Sequence, residues 1–507
     1  MSREVRIRLK YSSIINYLAI TYRMLVAIGF TVIVARRLSI SEFGLLGIIL
    51  SSISMLYVFT GLWTYWTQRF LSRGVTNSFG TGLALTLMYS TCATLIYLII
   101  GLVINKIVSN GLFFFILSIP FLWLNILNTF MSSVSAVMKP ELIGMRGFIY
   151  ETLRLVLAYI LVVNLNLGLC GAIASLELAL LIALTYMSYS LKHLRFNWLK
   201  HDWDLAKEWF KGFSIPLTII IYSFLNGGVR VFASLVGGSG VPVAYLNVGY
   251  SAYSPIISAA TSATPALYAK VLRRGRGGDV EEVLRIFILI NSLLLSVFIA
   301  LSRTIASLYN PKYVDAWVVI VMLSLYAFIE GLRSIFYVVT IGSSRVDVEG
   351  IKSTRELIRS ELFIAPLIRI VGMVISYGVG VVLALTLFLD NYLMQAVGFT
   401  LGLFLGALIT LPWFMIKALN SIKFNIPWKE VLTGLASAVI ITTYILYFKL
   451  NNILITSFWH DIIRLAPHAV AVLTIYIIVW YALSPWFRNL AKTSLRYTLK
   501  VIHINLE

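Results

Sequence analysis

The sequence is poor in charged residues, which make up 12% of its 507 positions, about half of the roughly 25% that is usual in soluble globular proteins. Apolar residues account for 59% of the chain, and its mean hydropathy is +0.90. This balance excludes a soluble enzyme, a disordered protein and a fibrous protein. The composition therefore predicts an integral membrane protein.

Cysteine and histidine are also scarce. The two cysteines, Cys92 and Cys170, both lie in apolar stretches, which excludes a disulfide framework and any CxxC redox or zinc site. The five histidines never stand at a metal-ligand spacing on one helix, and no P-loop of the GxxxxGKS or GxxxxGKT type occurs. We therefore expect no metal site, no cofactor and no catalytic residue, and we expect that the protein is not an enzyme.

Fourteen apolar stretches approach or exceed the length of about 20 residues that a helix needs to cross a bilayer. The segments between them are too short to hold a soluble domain, since such domains have about 50 residues or more. The sequence thus predicts an all-α polytopic membrane protein. We predict its transmembrane helices over residues 14–35, 43–62, 80–104, 111–135, 147–165, 168–190, 213–236, 243–266, 286–302, 316–342, 363–386, 392–414, 431–448 and 466–486.

The basic residues are distributed unevenly between the two sides of the membrane. Of the 41 Lys and Arg, 29 fall in tails and loops on the side of the N-terminus, 7 fall in loops on the other side, and 5 lie inside helices. Lys and Arg accumulate in cytoplasmic loops. This pattern predicts a multi-pass protein of the cell membrane with both termini in the cytoplasm. Because the positive charge reports orientation, it requires no nucleic acid partner.

The loop after the sixth predicted helix interleaves Trp, Phe and Leu with Lys and Asp over residues 192–211. Such a pattern is typical of an amphipathic segment that lies in the inner membrane interface with its Trp residues at the level of the headgroups. An alternative interpretation is that Asp202 and Asp204 form the metal-binding DxD motif of a glycosyltransferase.

Three short motifs resemble a known family. They are Leu38–Gly44 (LSISEFG) between the first two helices, Phe213–Leu217 (FSIPL) at the start of the seventh, and Leu308–Ala316 (LYNPKYVDA) between the ninth and tenth. In their order and spacing the chain is similar to the lipid-linked oligosaccharide flippases. These form the Wzx-type branch of the multidrug/oligosaccharidyl-lipid/polysaccharide exporter superfamily. The resemblance extends over about residues 11–485.

The resemblance implies two six-helix lobes that are related by an internal repeat and followed by two further helices. Traces of the repeat are visible, because Leu153–Val156 (LRLV) matches Ile368–Val371 (IRIV) at an offset of 215, and Phe43-Gly44 corresponds to Ala244-Tyr245 at an offset of 201. We accordingly predict an N-terminal lobe over residues 1–191, an interfacial linker over 192–212, a C-terminal lobe over 213–415, and two helices with a basic cytoplasmic tail over 416–507.

Two arginines lie deep in predicted spans. Arg23 lies in the first helix and Arg230 in the seventh, and neither helix carries an acidic residue. An arginine at the bilayer centre costs about 2.5–3.5 kcal/mol on insertion scales, so it should face protein or water and have a partner. Tyr222, Asn226 and Arg230 recur every four residues and so share one helix face. We expect Arg23, Arg230, Asn226 and Tyr222 to bind the substrate in a cavity. The alternative is that the arginines bond to carbonyls or to a distant carboxylate and hold the helices together.

Other charges in the spans have less specific interpretations. Arg154, Arg369, Arg333 and Glu330 are either further cavity residues or members of ion pairs, because Glu151 precedes Arg154 by one turn and Glu330 precedes Arg333 by one turn. Two carboxyl groups are candidates for coupling to Na⁺ or H⁺, namely Glu177 in the sixth helix and Asp390 before the twelfth. Glu177 fits a hydrogen-bonded packing residue equally well.

The resemblance and the arginines together suggest a flippase. It would move a polyprenyl-(pyro)phosphate-linked oligosaccharide from the cytoplasmic to the outer leaflet by alternating access, as a monomer surrounded by membrane lipids, with the phosphate held by arginine. One alternative is a cation-coupled drug exporter of the same superfamily, which needs carboxylates in its cavity. Another is a membrane glycosyltransferase, polymerase or ligase that acts on the same lipid carrier. Such an enzyme needs catalytic acids in an outer loop, and the longest one offers only Asp461.

The predicted orientation can be tested with single cysteines in a background of Cys92→Ser and Cys170→Ser. We expect a membrane-impermeant maleimide to label Lys312→Cys in intact cells, because this residue lies in a predicted outer loop. The same reagent should label Lys207→Cys only after the cells are permeabilised. The reverse pattern would show that the termini lie outside the cytoplasm.

Overall fold

The computed structural model describes residue 22 and residues 26–192, 201–211, 214–272, 277–344 and 359–493. Within these ranges 89% of the residues are helical and none lies in a strand. Twelve helical stretches in the described ranges are long and apolar enough to cross a membrane. The predicted all-α polytopic membrane fold is confirmed.

The helices are numbered along the chain. The first ten are α1 (26–37), α2 (Ile40–Tyr57), α3 (Gly61–Ser72), α4 (Asn77–Asn105), α5 (Gly111–Leu117), α6 (Ile119–Met138), α7 (Glu141–Ala158), α8 (Gly168–Leu191), α9 (Trp203–Lys211) and α10 (Ser214–Gly237). They are followed by α11 (Val241–Leu272), α12 (Gly277–Ala300), α13 (Ser302–Tyr309), α14 (Trp317–Ser343), α15 (Glu361–Thr386), α16 (Tyr392–Ser421), α17 (Trp428–Tyr447), α18 (Phe458–Leu483) and α19 (485–493). Short 3₁₀ turns occur at Val58–Thr60, Pro311–Ala316 and Leu450–Asn452, and a π-helical turn at Tyr159–Asn164 extends α7.

The predicted spans from the second to the fourteenth all appear as helices. Of the first, residues 26–35 are helical as part of α1, and residues 14–25 lie outside the described ranges except for residue 22. The eighth span forms α11, but it is not among the twelve apolar stretches. The sequence of α11 contains four Ser, four Tyr and two Thr, which lower its hydropathy. Polar spans of this kind are tolerated where they face protein or water.

The predicted start of the fifth span is wrong. The helix begins at Glu141 and not at residue 147, because Pro140 precedes it and the Glu141 carboxylate lies in its first turn, where it interacts favourably with the helix dipole. The whole stretch Glu141–Asn164 has 24 residues. Arg154 is the fourteenth residue of this stretch and so lies near its middle.

The chain divides into two compact units, Met1–Ser251 with Val346–Thr410 and Ala252–Arg345 with Leu411–Glu507. In the first unit, α10 packs between α2 and α15. In the second unit, α12 packs against α14 and α17, and α18 packs against α17. The predicted boundaries after residues 191, 212 and 415 stay predictions.

The first family-like motif forms a helix start and a close helix crossing. Ser39 and Glu42 cap α2 reciprocally, since the Glu42 N–H donates to Ser39 Oγ at 3.2 Å and the Ser39 N–H donates to Glu42 Oε2 at 2.9 Å. A Cβ on Gly44 would lie 2.0 Å from the Gly240 carbonyl oxygen. In addition, Asn247 Nδ2 donates to the Phe43 carbonyl at 3.0 Å. The motif thus lets the start of α2 touch the start of α11.

The third motif forms a compact turn in the second unit. Asn310 accepts a hydrogen bond from the Lys312 N–H at 3.1 Å and so begins the 3₁₀ turn, while the rings of Tyr309 and Tyr313 are buried. The preceding helix α13 is fixed to the loop after α17, because Thr304 Oγ1 donates to the Leu450 carbonyl at 2.7 Å. Because backbone groups of this segment have hydrogen-bond partners, the segment is held in one conformation and positions the ends of the long helices next to it.

Gly44→Ala tests the close crossing of α2 and α11. Since the added methyl group would meet a backbone carbonyl, which cannot rotate away, we expect the free energy of unfolding to fall by about 1–3 kcal/mol. The measurement is the thermal unfolding midpoint of the purified protein in detergent. Gly378→Ala in α15 is the matched control, because a Cβ there meets nothing within 4 Å. Equal midpoints for the two variants would contradict the crossing.

Candidate functional site

Helix α10 has two open faces, one apolar and one polar. Its other two sides are covered, since Ser51 of α2 donates to the Gly227 carbonyl and Tyr377 of α15 donates to the Leu225 carbonyl at 2.5 Å. Ile221 and Leu235 are exposed on one open face. The opposite face begins with the exposed Ile219 and then carries Tyr222, Ser223, Asn226 and Arg230, of which Asn226 is exposed and the others are half-buried. We call this second face the polar face of α10.

Arg230 is held on this face by an aromatic ring. Its guanidinium carbon lies 4.3 Å from the centroid of the Tyr250 ring of α11, a geometry typical of a cation–π interaction. None of the carboxylates in the described ranges lies within ion-pair distance of Arg230. Its Nε is buried and has no hydrogen-bond acceptor among the described residues. The site therefore offers a positive charge and an Nε–H group that can donate a hydrogen bond to a ligand.

A second arginine contacts the N-terminal half of the same face. Arg369 of α15 donates from Nη2 to the Tyr222 hydroxyl at 2.9 Å, and its guanidinium carbon lies 4.0 Å from the centroid of the Tyr222 ring. Arg369 is half-buried. The sequence alone did not predict a contact between these two residues. The structure shows that Arg369 belongs to the polar face of α10.

Asn226 lies between the two arginine contacts at the thirteenth residue of the 24-residue helix α10. An exposed carboxamide at this depth is unfavourable in hydrocarbon, because its polar atoms would have no partners there. Its position therefore indicates a face that meets water or a polar ligand. Between α10, α15 and α16, the side chains of Val229, Ser376, Tyr377, Phe399 and Leu403 meet in an apolar seam that leaves no room for a water molecule.

The predicted substrate-binding residues have different outcomes. Tyr222, Asn226 and Arg230 share the polar face, whereas Arg23 lies outside the described residues. Tyr250 was not predicted, although it supplies the ring under Arg230. Its only signal in the sequence is its position in the unusually polar helix α11.

Two of the other arginines form ion pairs on their own helices. Arg333 pairs with Glu330 inside the second unit, where the side chains are 1% and 3% exposed. Arg154 pairs with Glu151 on α7 in the first unit. A buried pair one turn apart compensates each charge locally. Their helices therefore carry no net charge from these residues.

The two candidate coupling residues lie in different surroundings. Glu177 is half-buried on α8, and its Oε1 is buried without a hydrogen-bond donor in the described part of the chain. Asp390 is exposed in the turn between α15 and α16. Glu177 thus keeps the environment expected of a protonatable group, whereas Asp390 is accessible to solvent.

The carboxylates of the DxD alternative have structural roles. Asp202 Oδ1 accepts hydrogen bonds at 3.1 Å from the N–H groups of Asp204 and Leu205 and so caps α9. Asp204 pairs with Lys207 at 2.9 Å, and this hydrogen bond lowers the pKa of the Asp204 carboxyl. The metal-binding interpretation of these residues therefore loses its support.

Helix α9 itself is amphipathic. Leu205 and Trp209 are buried with Trp63 of α3, and the Trp209 and Phe70 ring centroids lie 6.0 Å apart. Trp203 and Phe210 are 45% and 47% exposed. One face of the helix is thus packed on α3 and α4, and two aromatic side chains remain available to a lipid interface.

No protein-family model matches the chain, and no curated protein matches it in sequence. Solved structures do match its fold. An inward-facing conformation of a multidrug resistance MATE family transporter of the MOP superfamily has a TM-score of 0.60 and 14% identity, and the match covers 81% of this chain and 98% of that one. An outward-facing conformation of such a transporter has a TM-score of 0.55 and 15% identity, with coverage of 81% and 95%.

A third structure is a MOP superfamily transporter from Pyrococcus furiosus, with a TM-score of 0.56 and 16% identity over 82% of this chain and 97% of that one. Its description states that the reverse polarity of its binding pocket suggests a different function. The chain therefore has the fold of MATE family transporters, and the expected superfamily fold is confirmed. Its assignment to the flippase branch stays a prediction.

Cysteine accessibility tests the polar face in the background without Cys92 and Cys170. We expect Asn226→Cys to react with small methanethiosulfonates, and the anionic reagent to be favoured over the cationic one. Residue 226 lies about one helical turn, or about 6 Å, from Arg230. At this distance the charge of Arg230 stabilises the anionic reagent and destabilises the cationic one by about 0.7 kcal/mol each, even in water. The ratio of the two labelling rates should therefore shift about tenfold. Ile221→Cys on the apolar face and the buried Ser234→Cys are the controls, and both should stay unlabelled. Absence of labelling at Asn226→Cys would contradict an aqueous face.

Proposed function

We propose that this chain is an alternating-access transporter that moves a polyprenyl-(pyro)phosphate-linked oligosaccharide from the cytoplasmic to the outer leaflet. One observation carries the proposal. The guanidinium of Arg230 lies on the polar face of a membrane helix over the Tyr250 ring, and no carboxylate in the described ranges pairs with it. A negatively charged ligand is the natural partner of such a group.

The fold supports transport by alternating access. Structures with this fold include both an inward-facing and an outward-facing conformation of MATE family transporters. One relative with the same fold is described as having a binding pocket of reverse polarity. The positive charge on α10 agrees with a pocket that accepts anions. The pocket of a drug exporter accepts cations instead.

Arginine is suited to a phosphate head group. Its planar guanidinium forms two parallel charge-assisted hydrogen bonds to phosphate oxygens, which are about twice as strong as neutral ones. Asn226, four residues before Arg230, can donate to and accept from sugar hydroxyls. The phosphate and the sugar of the substrate thus find matching groups within one unit.

The membrane potential can drive this transport. When the cytoplasm is negative, moving one negative charge outward gains about 2.3 kcal/mol per 100 mV, which is roughly a fifty-fold bias. No nucleotide site is therefore needed. Glu177 offers a second source of energy if its carboxyl group exchanges a proton during the cycle.

The competing function is export of organic cations. A cation requires a carboxylate at its binding site, because its charge must be compensated in a low-dielectric cavity. The polar face of α10 supplies Tyr222, Ser223, Asn226 and Arg230 but no acid. This composition favours the anionic substrate.

Replacement of Arg230 tests the proposal. The protein is reconstituted into liposomes with a polyprenyl-diphosphate-linked sugar that carries a fluorescent tag, and dithionite added outside reports the fraction of substrate in the outer leaflet. We expect Arg230→Gln to slow transfer about tenfold or more, because a charged hydrogen bond is worth about 1.5–3 kcal/mol. Arg230→Lys should retain part of the activity. Lys429→Gln, the same loss of charge at an exposed site, should have no effect.

Two results would overturn the proposal. One is transfer by Arg230→Gln at the unsubstituted rate with equal protein in the membrane. The other is efflux of a cationic dye by the unsubstituted protein combined with no transfer of the lipid-linked sugar, which would establish the drug exporter.

A further inference from the structure

A row of basic side chains lies on helix α18. His460, Arg464 and His468 recur every four residues in its first half, so they share one face, and the Cβ atoms of neighbours in the row lie about 5–6 Å apart. His460 and Arg464 are exposed and His468 is half-buried. We call these three residues the basic row of α18. It belongs to the second unit and α10 to the first, so the site described above does not include it.

The charge of Arg464 has no carboxylate beside it to compensate it. No acidic residue in the described part of the chain lies within ion-pair distance of its guanidinium. Asp461 is the only acidic residue of α18, and its Oδ2 accepts hydrogen bonds at 2.9 Å from two N–H groups that precede the helix. The turn after α17 adds another exposed cation, Lys449. The surface around the row is therefore positive.

Aromatic side chains of α17 hold the inner end of the row. The His468 Nδ1 atom and the Tyr444 hydroxyl are hydrogen-bonded at 3.0 Å, and the centroids of the His468 and Phe448 rings lie 5.3 Å apart. Tyr447, at the end of α17, is 79% exposed. Tyrosine is enriched where a membrane helix passes the lipid headgroups. The rings beside the row are thus typical of a membrane interface.

The length of α18 places the row near one surface of the membrane. The helix has 26 residues, which correspond to about 39 Å and exceed the hydrocarbon thickness of about 30 Å. Arg464 is the seventh residue of α18 and so lies within about two turns of its start. From this depth the long side chain can place its guanidinium among the headgroups.

The surface of α18 beyond the row is apolar and open. Ile463 and Val470 are 68% and 64% exposed. Of the most apolar part of His460–Leu483, only 11% is buried, the smallest share among the twelve apolar stretches of the described ranges. Acyl chains are as apolar as such side chains and can cover them. The helix therefore combines cations near one end with an apolar surface along its length, which matches the two parts of a phospholipid.

We infer that the basic row of α18 binds the phosphate group of an anionic phospholipid, whose acyl chains lie along the exposed apolar surface of the same helix. Arg464 donates two parallel hydrogen bonds to phosphate oxygens, and His460, one turn away, adds a ring N–H donor. Phosphatidylcholine fits less well, because the row and Lys449 repel its trimethylammonium group. The site does not depend on the proposed transport function.

Binding of two lipids that differ in headgroup tests the inference. The full-length protein is freed of lipid in detergent, and native mass spectrometry then counts bound phosphatidylglycerol or phosphatidylcholine with the same acyl chains. We expect the first phosphatidylglycerol to bind about tenfold more tightly than the first phosphatidylcholine. In liposomes, a photoreactive phosphatidylglycerol should crosslink to the peptide that contains residues 460–468.

Arg464→Gln should reduce the crosslinking of this peptide about tenfold, because charge-assisted hydrogen bonds to phosphate are the strong ones. Arg464→Lys should keep an intermediate yield, since lysine retains the charge without the planar fork. Arg488→Gln is the matched control. It removes the same charge from an exposed position of α19 and should leave the yield within about twofold.

Three results would overturn the inference. The first is equal affinity of the unsubstituted protein for the two lipids, which does not depend on the folding of any variant. The second is an equal loss of crosslinking in Arg464→Gln and Arg488→Gln, which would show that only the total charge matters. The third is a protein dimer that binds no lipid and dissociates in Arg464→Gln, which would make the row an interface between two copies of the chain.

Discussion

Aromatic rings, and not carboxylates, hold the arginine on the polar face of α10. The ring of Tyr250 faces the guanidinium of Arg230, and a ring attracts a cation without neutralising it. A carboxylate in the same place would remove the net charge and close the site to anions. The contact thus keeps a charged group stable at membrane depth while it stays able to bind a ligand.

This arrangement depends on how tightly α10 is packed. Contacts from α2 and α15 reach its backbone, because Ser51 and Tyr377 both donate to its carbonyl groups. Gly44 and Asn247 bring α2 against the start of α11, the helix that carries Tyr250. The motif that resembles the flippase family therefore positions the ring of the site, although it contributes no ligand-binding atom itself.

The spans could be predicted from the sequence because the thickness of the bilayer fixes their length and its hydrocarbon core requires apolar side chains. The early start of α7 could not, since Glu141 and Arg146 are charged residues that look like part of a loop in the sequence. Within the site, helical spacing placed Tyr222, Asn226 and Arg230 on one face. It could not pair Arg369 with Tyr222, because contacts between distant helices leave no periodic signal in the chain.

The local ion pairs also bear on how the protein is assembled. Glu330 and Arg333 lie within one turn of α14, so this helix can leave the translocon with its charges already matched. Arg230 has no such companion on α10, and the ring that receives it belongs to the next helix to be synthesised. Insertion of α10 and α11 as one hairpin would therefore lower the cost of placing Arg230 in lipid, and biogenesis and ligand binding place opposite demands on the same arginine.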